Sequence, residues 1–579
     1  MGAEQNPRRL TATNLANHLA CKHLTGLDQR VRSGELAEPH WQDPALELLM
    51  QRGIDHELAY VDHLRARGLA VVDLTEYRGA ENARRTLEAA RAGADVIVQA
   101  NLRDARFHGY ADILLRVDGK TDLGAWAYEV IDTKLAQETR AGTVLQLCLY
   151  ADLLRTVQGE PAELMHVVKP GEDFPRETFR FTDFHAYYRL VRERLAAFVT
   201  DEGQAEVYPA PVPHCDICRW WKRCDDRRHA DDHLSLVAGM PGAHTAELMR
   251  QGIDTLEAFA LAVEPLKEKP KRGRIETYAK LQGQAAVQLE GRRTGKPVTE
   301  LLEHEEGRGL ARLPEPSPGD IYLDFEGNPY VEGGGLEYLT GYAFLDANGA
   351  QQYTALWALE RGAEKRAFED FIDFVIARQE EYPGLHIYHY APYEPSALKR
   401  LAMRHATRQD ELDTLLRGER FVDLYSVTRQ GLRASVESYS LKPLEEFFGY
   451  EREVKLREEA SPALRRVDCA LEQGMPEEIT ESDRGHVEGY NRDDCLSLIA
   501  LQRWLEEKRS ELLATGAEFE RPPLKDGAST EAAEERRADI AQVFDALVAG
   551  LPDDPADRTE EQSARWLLAH LLEYFHRED

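Results

Sequence analysis

Two stretches of this chain set acidic residues at spacings that suit phosphodiester chemistry. In Gly109-Tyr-Ala-Asp112-Ile-Leu and Tyr128-Glu129-Val-Ile-Asp132-Thr-Lys134-Leu, the apolar pattern reads as neighbouring strands whose ends bring Asp112, Asp132 and Lys134 together. Hard divalent ions such as Mg²⁺ take oxygen ligands. The carboxylates can therefore hold a metal that polarises a phosphodiester, while Lys134 orients the attacking water or balances charge. His56, on a helix expected over 44–65, can supply one further ligand, and Gln146 and Tyr150, four residues apart, share one face of a helix expected over 142–157. The second stretch is Tyr322-Leu-Asp324-Phe-Glu326-Gly327, where a strand period of two puts both carboxylates on one face. Far downstream, Tyr490-Asn-Arg-Asp493-Asp494-Cys495 is expected to open a helix, with Tyr490 one turn from Asp494. Asp324, Glu326 and Asp494 then form a two-metal site at which Tyr490 positions water.

A third constellation is soft. Cys215-Asp-Ile-Cys218 and Cys224 give C-x₂-C-x₅-C behind an extended approach set by Pro209, Pro211 and Pro213. Four sulfur ligands are needed for a closed tetrahedral zinc site or a cubane cluster, and spacing alone does not choose between them. Cys21 is the best fourth candidate although it lies 194 residues from Cys215, because Cys148 falls on the apolar face of the Gln146 helix and reads as core.

The elements that must position these groups form an α/β chain of several domains. At 579 residues the chain has room for two to four. Residues 1–232 read as mixed α/β, 233–313 as helices and polar linker, 314–511 as a second α/β domain and 512–579 as charged helix. The second stretch carries a basic cluster of Lys267, Lys269, Lys271, Arg272 and Arg274. It also carries Leu236-Val-Ala-Gly239-Met-Pro-Gly242 with Gly252-Ile253, similar to a degenerate helix-hairpin-helix whose turn offers N–H groups to a phosphate. After the breakers Pro314, Pro316 and Pro318, strands over 321–325, 339–345 and 352–357 precede a helix over 363–378. A strand over 385–390, a helix over 395–405 and a strand over 421–424 follow, an order that fits an RNase H-like sheet.

Taken in order, Gly53 to Glu57, Gly109 to Leu114, Glu129 to Leu135 and Gln146 to Tyr150 resemble the RecB-like branch of the PD-(D/E)XK nucleases. The resemblance implies a metal site of His56, Asp112, Asp132 and Lys134, with Gln146 and Tyr150 beside the substrate. One cysteine near the N-terminus and three after the motifs resemble the iron-sulfur members, which implies a [4Fe-4S] cluster on Cys21, Cys215, Cys218 and Cys224 stapling the two ends of the domain. The D-x-E strand with Y-x₃-D resembles the DEDD exonucleases of the RNase H-like superfamily, tyrosine subtype. That family places a second aspartate after the fourth strand, where this chain has Glu394; Asp423 reads as structural, and Asp493 is the alternative to Asp494. The whole chain is similar to a RecB-like family in which an iron-sulfur PD-(D/E)XK domain precedes an RNase H-like exonuclease.

The expectation is a Mg²⁺- or Mn²⁺-dependent DNA nuclease acting on single strands or ends in repair, recombination or phage defence. RNA processing by the second domain, or a non-catalytic nucleic-acid adaptor, are the rival readings. Some relatives continue into a helicase; here Gly291-Arg-Arg-Thr-Gly295-Lys296-Pro297 lacks the spacing and hydroxyl of a phosphate loop, so a separate helicase is expected to dock on the C-terminal helix over 564–575. The rival for that helix is packing on the RNase H-like domain through Trp566, Leu567 and Leu571. The net charge of −31 argues against non-specific coating of nucleic acid and leaves a dedicated groove open. Seven cysteines are too sparse for a disulfide scaffold, no apolar run approaches the ~20 residues of a membrane span, and no leader follows Met1, so a cytosolic protein is expected.

Overall fold

The computed structural model describes residues 9–39, 44–135, 139–171, 173–200, 207–528, 531–552 and 558–572. The four stretches of sequence are organised as two compact units. One is Met1–Lys296 with Asn328–Gly335 and Lys455–Val487, and the other is Pro297–Gly327, Leu336–Val454 and Glu488–Asp579.

The first unit is built on six strands whose spatial order equals their chain order: β1 (Val71–Asp73), β2 (Val96–Arg103), β3 (His108–Thr121), β4 (Gly124–Thr133), β5 (Leu164–Val168) and β6 (Arg176–Arg180). β4 runs antiparallel to β3 with Ile113 opposite Ile131, and parallel to β5 with Asp132 opposite Val167. Alternation along the strands feeds two cores. Ile97, Leu114 and Val130 pack towards the helix Ala141–Leu153, whereas Val98, Ile113 and Ile131 pack towards Tyr60, Val61 and Leu64 of the helix Pro44–Ala66. The alternation flips at Gln99, which takes a left-handed φ of 53°, after which Ala100 and Ala111 return to the first core. By the register of its neighbours Gln99 lies across from Asp112, so the pleat is broken beside the first carboxylate set.

A separate core of Leu234, Leu248, Leu256, Phe259 and Tyr278 holds the stretch after the cysteines. Here the helix Gly242–Arg250 meets the five-residue helix Leu256–Ala260 through a turn at Gly252. The N–H groups of Gln251, Gly252 and Ile253 are bonded to carbonyls of Glu247, Met249 and Leu248, which closes this turn; the segment that resembles a hairpin, Leu236 to Gly242, leads into the first of the two helices.

In the second unit a short ribbon pairs β7 (Thr299–Leu301) with a strand at Leu432–Ala434. The main sheet comprises β8 (Ile321–Asn328), β9 (Leu336–Leu345), β10 (Gln351–Trp357), β11 (Ile387–His389) and β12 (Phe421–Asp423), in the order β10-β9-β8-β11-β12. β10 is antiparallel to β9, while β8, β11 and β12 are parallel. Ile321, Leu323 and Phe325 face Phe368, Phe371 and Leu398 from the helices Arg361–Glu381 and Tyr393–His405. The alternate residues of β8, Tyr322 and Asp324, meet Gln502 and Asn491 of the helix Glu481–Ala514. That helix starts nine residues before Tyr490, so the tyrosine motif lies inside it instead of opening it.

Near the C-terminus the helices Glu531–Val548 and Glu560–His570 pair, with Arg565 Nε donating to the Leu547 carbonyl at 3.1 Å. Trp566, Leu567 and Leu571 stay 37%, 54% and 47% exposed, which corrects the expectation that they pack the helix onto the RNase H-like domain. The part of the expected helix beyond Leu572 lies outside the described residues. No helix among the described residues is long and apolar enough to cross a membrane.

Candidate active sites

Asp112 lies within β3 and Asp132 near the end of β4, and antiparallel pairing sets the two side by side. As β4 leaves its partner, Thr133 donates its N–H to Asp112 Oδ2 at 2.9 Å and its hydroxyl at 3.2 Å. Asp132 is fully buried: Oδ2 lies 2.5 Å from Lys134 Nζ, and Oδ1 accepts from Gln146 Nε2 at 3.1 Å. The same amide reaches the Tyr150 hydroxyl at 3.2 Å, so the i and i+4 pair on the helix Ala141–Leu153 is joined to the carboxylate. Gly109 is explained by this packing, because a Cβ there would stand 2.3 Å from Tyr150 Cε1.

His56 is placed differently from the expectation. Its Nε2 lies 3.4 Å from the Val168 carbonyl and its ring stacks on Phe174, whereas Glu57, the next residue, turns towards the carboxylates and accepts from Gln99 Nε2 at 2.7 Å. Adjacent residues on a helix point about 100° apart, so only one of the pair can face the site. Glu57 is a site residue that the sequence analysis passed over.

Cys21, Cys215, Cys218 and Cys224 line one pocket with Leu24, Leu27 and Trp220. Cys21 joins the helices Ala12–Ala20 and Lys22–Arg32, while Cys224 lies on the helix Trp221–Ala230. Arg219 Nη2 clips the two ends together at 2.6 Å from Asp28 Oδ1. Burial, then the charge of Cys218, pushes the Cys224 thiol up to about 11, and Cys218 is raised by burial as well. The four sulfurs lining one pocket are a soft donor set of the kind that zinc or an iron-sulfur centre takes as thiolates.

On β8, Asp324 and Glu326 share a face, and together with Asp494 each offers a ligand oxygen within 4.8 Å of the others. Asp494 Oδ1 also accepts from Arg452 Nη2 at 2.5 Å, and Arg452 is held in turn by Glu445. Asp493 points away: its two oxygens take the Tyr450 hydroxyl at 3.0 Å and the Val454 N–H at 2.9 Å. The Tyr490 hydroxyl meets Lys442 Nζ. Glu394, in the first turn of the helix Tyr393–His405, is buried with Oε2 3.2 Å from His389 Nδ1, and it stands outside the tight set of three. Asp423 caps the helix Leu424–Gly431 and accepts from the N–H groups of Ala391 and Tyr425.

Residues 15–225 match the family model of the PD-(D/E)XK nuclease superfamily, and residues 321–506 match that of the RNase H superfamily. The chain carries two nuclease domains. It is a phosphodiester hydrolase. No curated protein matches it. The first match encloses Glu57, Asp112, Asp132, Lys134 and all four pocket cysteines, and the second encloses Asp324, Glu326, Glu394, Lys442, Tyr490 and Asp494.

Nuclease domains of these superfamilies usually use divalent metals such as Mg²⁺, and among the described residues the acidic cluster whose ligand oxygens lie within 4.8 Å of one another is that of Asp324, Glu326 and Asp494. Burial, then the charge of Asp112, drives Asp132 well above the usual carboxylate range. Burial pulls Lys134 down, but Asp132 and Asp112 outweigh it and leave the ammonium raised. Glu57 is pushed up to about 7 by burial and then by Asp112. At the second nuclease site burial, followed by Asp494, Glu326 and Glu394, raises Asp324 far above its ordinary value. Crowded buried carboxylates resist ionising together, and either a retained proton or a divalent cation relieves the conflict.

The supporting shell of the RNase H-like site escaped the sequence analysis. Asn491 is fully buried, its Oδ1 accepting from the Tyr353 hydroxyl at 2.9 Å and its Nδ2 donating to Asp324 Oδ2 at 2.8 Å. Gly341 on β9 leaves room for it. The only local signal was an Asn and a Lys near the motif, residue types too common to single out.

Proposed function

We propose that this nuclease is a metal-dependent DNA nuclease that acts on single strands or ends through two separate sites. The observation that carries the reading is the convergence of Asp324, Glu326 and Asp494 within 4.8 Å, with Asp112, Asp132 and Lys134 as a second acidic set on another sheet. Mg²⁺ or Mn²⁺ would be held by Asp324, Glu326 and Asp494 in one site and by Asp112 and Asp132, with Glu57 in place of His56, in the other. Such an ion supplies Lewis-acid polarisation of a scissile phosphodiester. The protein's own groups do the rest. Lys134 sets a positive charge beside Asp132, where charge builds up on the phosphate oxygens, while Gln146 holds Asp132 and, with Tyr150 accepting from the same amide, forms the wall next to the substrate. Tyr490, steadied by Lys442, orients water at the second site. Glu394 would reach that site only by leaving His389.

The reading extends to the RecB-like branch, with a [4Fe-4S] cluster on Cys21, Cys215, Cys218 and Cys224. Their shared pocket, and the N–H of Val212 aimed at Cys215 Sγ at 3.4 Å, support a buried sulfur-ligated group that ties residues near 21 to those near 220. Action in the cytosol, in repair, recombination or phage defence, and a helicase working in trans complete the proposal. Labelled single-stranded and duplex DNA and RNA, digested with Mg²⁺ or Mn²⁺ by the parent protein and by Asp132→Ala and Asp324→Ala, test it. Loss of different activities in the two variants supports two sites on DNA. Cleavage confined to RNA would replace the DNA reading, and full activity in both variants would refute the carboxylate assignment.

A further inference from the structure

The loop that leads into the helix Ile275–Thr294 has a rigid inside and a charged outside. Leu266 is buried, and Gln251 Oε1 accepts from the N–H groups of Lys267 and Glu268 at 2.9 and 3.0 Å. Glu247 takes the N–H of Lys271, and the buried Tyr278 donates its hydroxyl to the Arg272 carbonyl at 2.9 Å. Gly273, at a φ of 80°, lets the chain turn over His244, since a Cβ there would stand 2.7 Å from its Nε2. Outward from this frame point Lys267, Lys269, Lys271, Arg272 and Arg274, all exposed and none with an acidic partner among the described residues. The protein carries 103 acidic residues, so the absence of pairing among the described residues for five neighbouring cations is a distinctive arrangement. Five cations against the one carboxylate of Glu268 leave this pinned loop with a local positive potential, which an anion with several charges in a row matches best.

We infer that the loop 267–274 is a binding surface for the phosphate backbone of a single nucleic-acid strand, distinct from both carboxylate sites. The inference deepens the nuclease reading, but it is judged on binding and not on cleavage, so the two can fail separately. Because the backbone is already ordered, contact costs mainly side-chain entropy. Neutralising phosphates with Lys and Arg releases counterions, which makes binding fall with salt by a slope of roughly 0.7 per contact on a single strand.

The test uses the full chain with Asp132→Asn and Asp324→Asn, which prevents cleavage, with and without Lys269→Ala, Lys271→Ala and Arg272→Ala. Fluorescein-labelled oligothymidylate and oligouridylate are titrated by anisotropy between about 50 and 200 mM salt. Removal of the three cations should lower the slope of log K against log salt by about 2 and weaken binding on the order of a hundredfold at 0.1 M salt. The thermal melt should be unchanged, because all three side chains are exposed. A lowered slope on RNA alone would keep the surface and overturn the DNA preference. An unchanged slope and affinity on both strands, or a parent that binds neither, would overturn the inference.

Discussion

Replacement of Gly341 by alanine tests how the RNase H-like site is held together. A Cβ at this position would fall 1.6 Å from Asn491 Oδ1 and 2.9 Å from the Tyr353 hydroxyl, a distance no pair of atoms can sustain. Asn491 has nowhere to go, being fully buried, with Cys495 Sγ 3.8 Å from the same oxygen. Either β9 shifts or the amide swings off Asp324. Overpacking of a well-filled core costs about 1–3 kcal/mol. If the amide swings, the hydrogen bond from Asn491 Nδ2 to Asp324 Oδ2, 2.8 Å long, is lost at a cost of about 0.5–1.5 kcal/mol. Either response, at about 0.5–3 kcal/mol, is a measurable part of the stability of an ordinary domain. Displacement of Asp324 by a fraction of an ångström to an ångström should lower turnover about a hundredfold. The assay is cleavage in an Asp132→Ala background, so that only the second site is read, alongside the thermal melt. Asn491→Ala, which leaves Gly341 in place, should lose turnover to a similar degree while melting higher than Gly341→Ala. Parental turnover in Gly341→Ala, or in Asn491→Ala, would refute the claim that this amide positions Asp324.

Four other outcomes follow from the geometry. Lys442→Met should lower turnover at the second site about tenfold, because the Tyr490 hydroxyl loses its cationic partner; an unchanged rate in the Asp132→Ala background would remove Lys442 from the site. Asp132→Ala and Asp324→Ala should abolish different products on a substrate panel, and complete inactivity of Asp132→Ala on every substrate would mean that the Asp324 site is inert. Anaerobically purified protein should be brown and contain iron, with Cys218→Ala losing iron and soluble yield; stoichiometric zinc without iron in an elemental assay would reject the cluster. Glu57, raised from its ordinary 4.5 to about 7, holds a proton in the folded protein that the unfolded chain has released. Its contribution to stability is therefore complete below about 4.5 and is lost as pH climbs through about 7. Thermal melts of metal-free protein across that window should fall with pH, and Glu57→Gln should flatten the trend; an identical slope in the variant would show that Glu57 is not the titrating group.

How far the sites could be read without coordinates depended on the range of the interaction. Short-range periodicity carries direction: a period of two is enough to put Asp324 and Glu326 on one face of a strand, and four residues are one helical turn between Tyr490 and Asp494 or Gln146 and Tyr150. Spacing of breakers and apolar runs likewise sufficed for most elements of both sheets, since these depend on neighbours a few residues away. The rest needed the chain folded on itself. Asp112 meets Asp132 because β3 and β4 pair in one particular register, and Gln99 breaks the pleat opposite them. The choice of Glu57 over His56 turns on how a helix is rotated about its own axis against a sheet, which two adjacent polar residues do not reveal, whereas the spacing from Tyr490 already favoured Asp494 over Asp493. Glu394 is drawn to His389, and Asn491 reaches Asp324 only because a glycine on another strand makes room. Cys21 and the triplet near 220 share a pocket because the two ends of a domain close on each other, a contact with no local trace in 193 intervening residues.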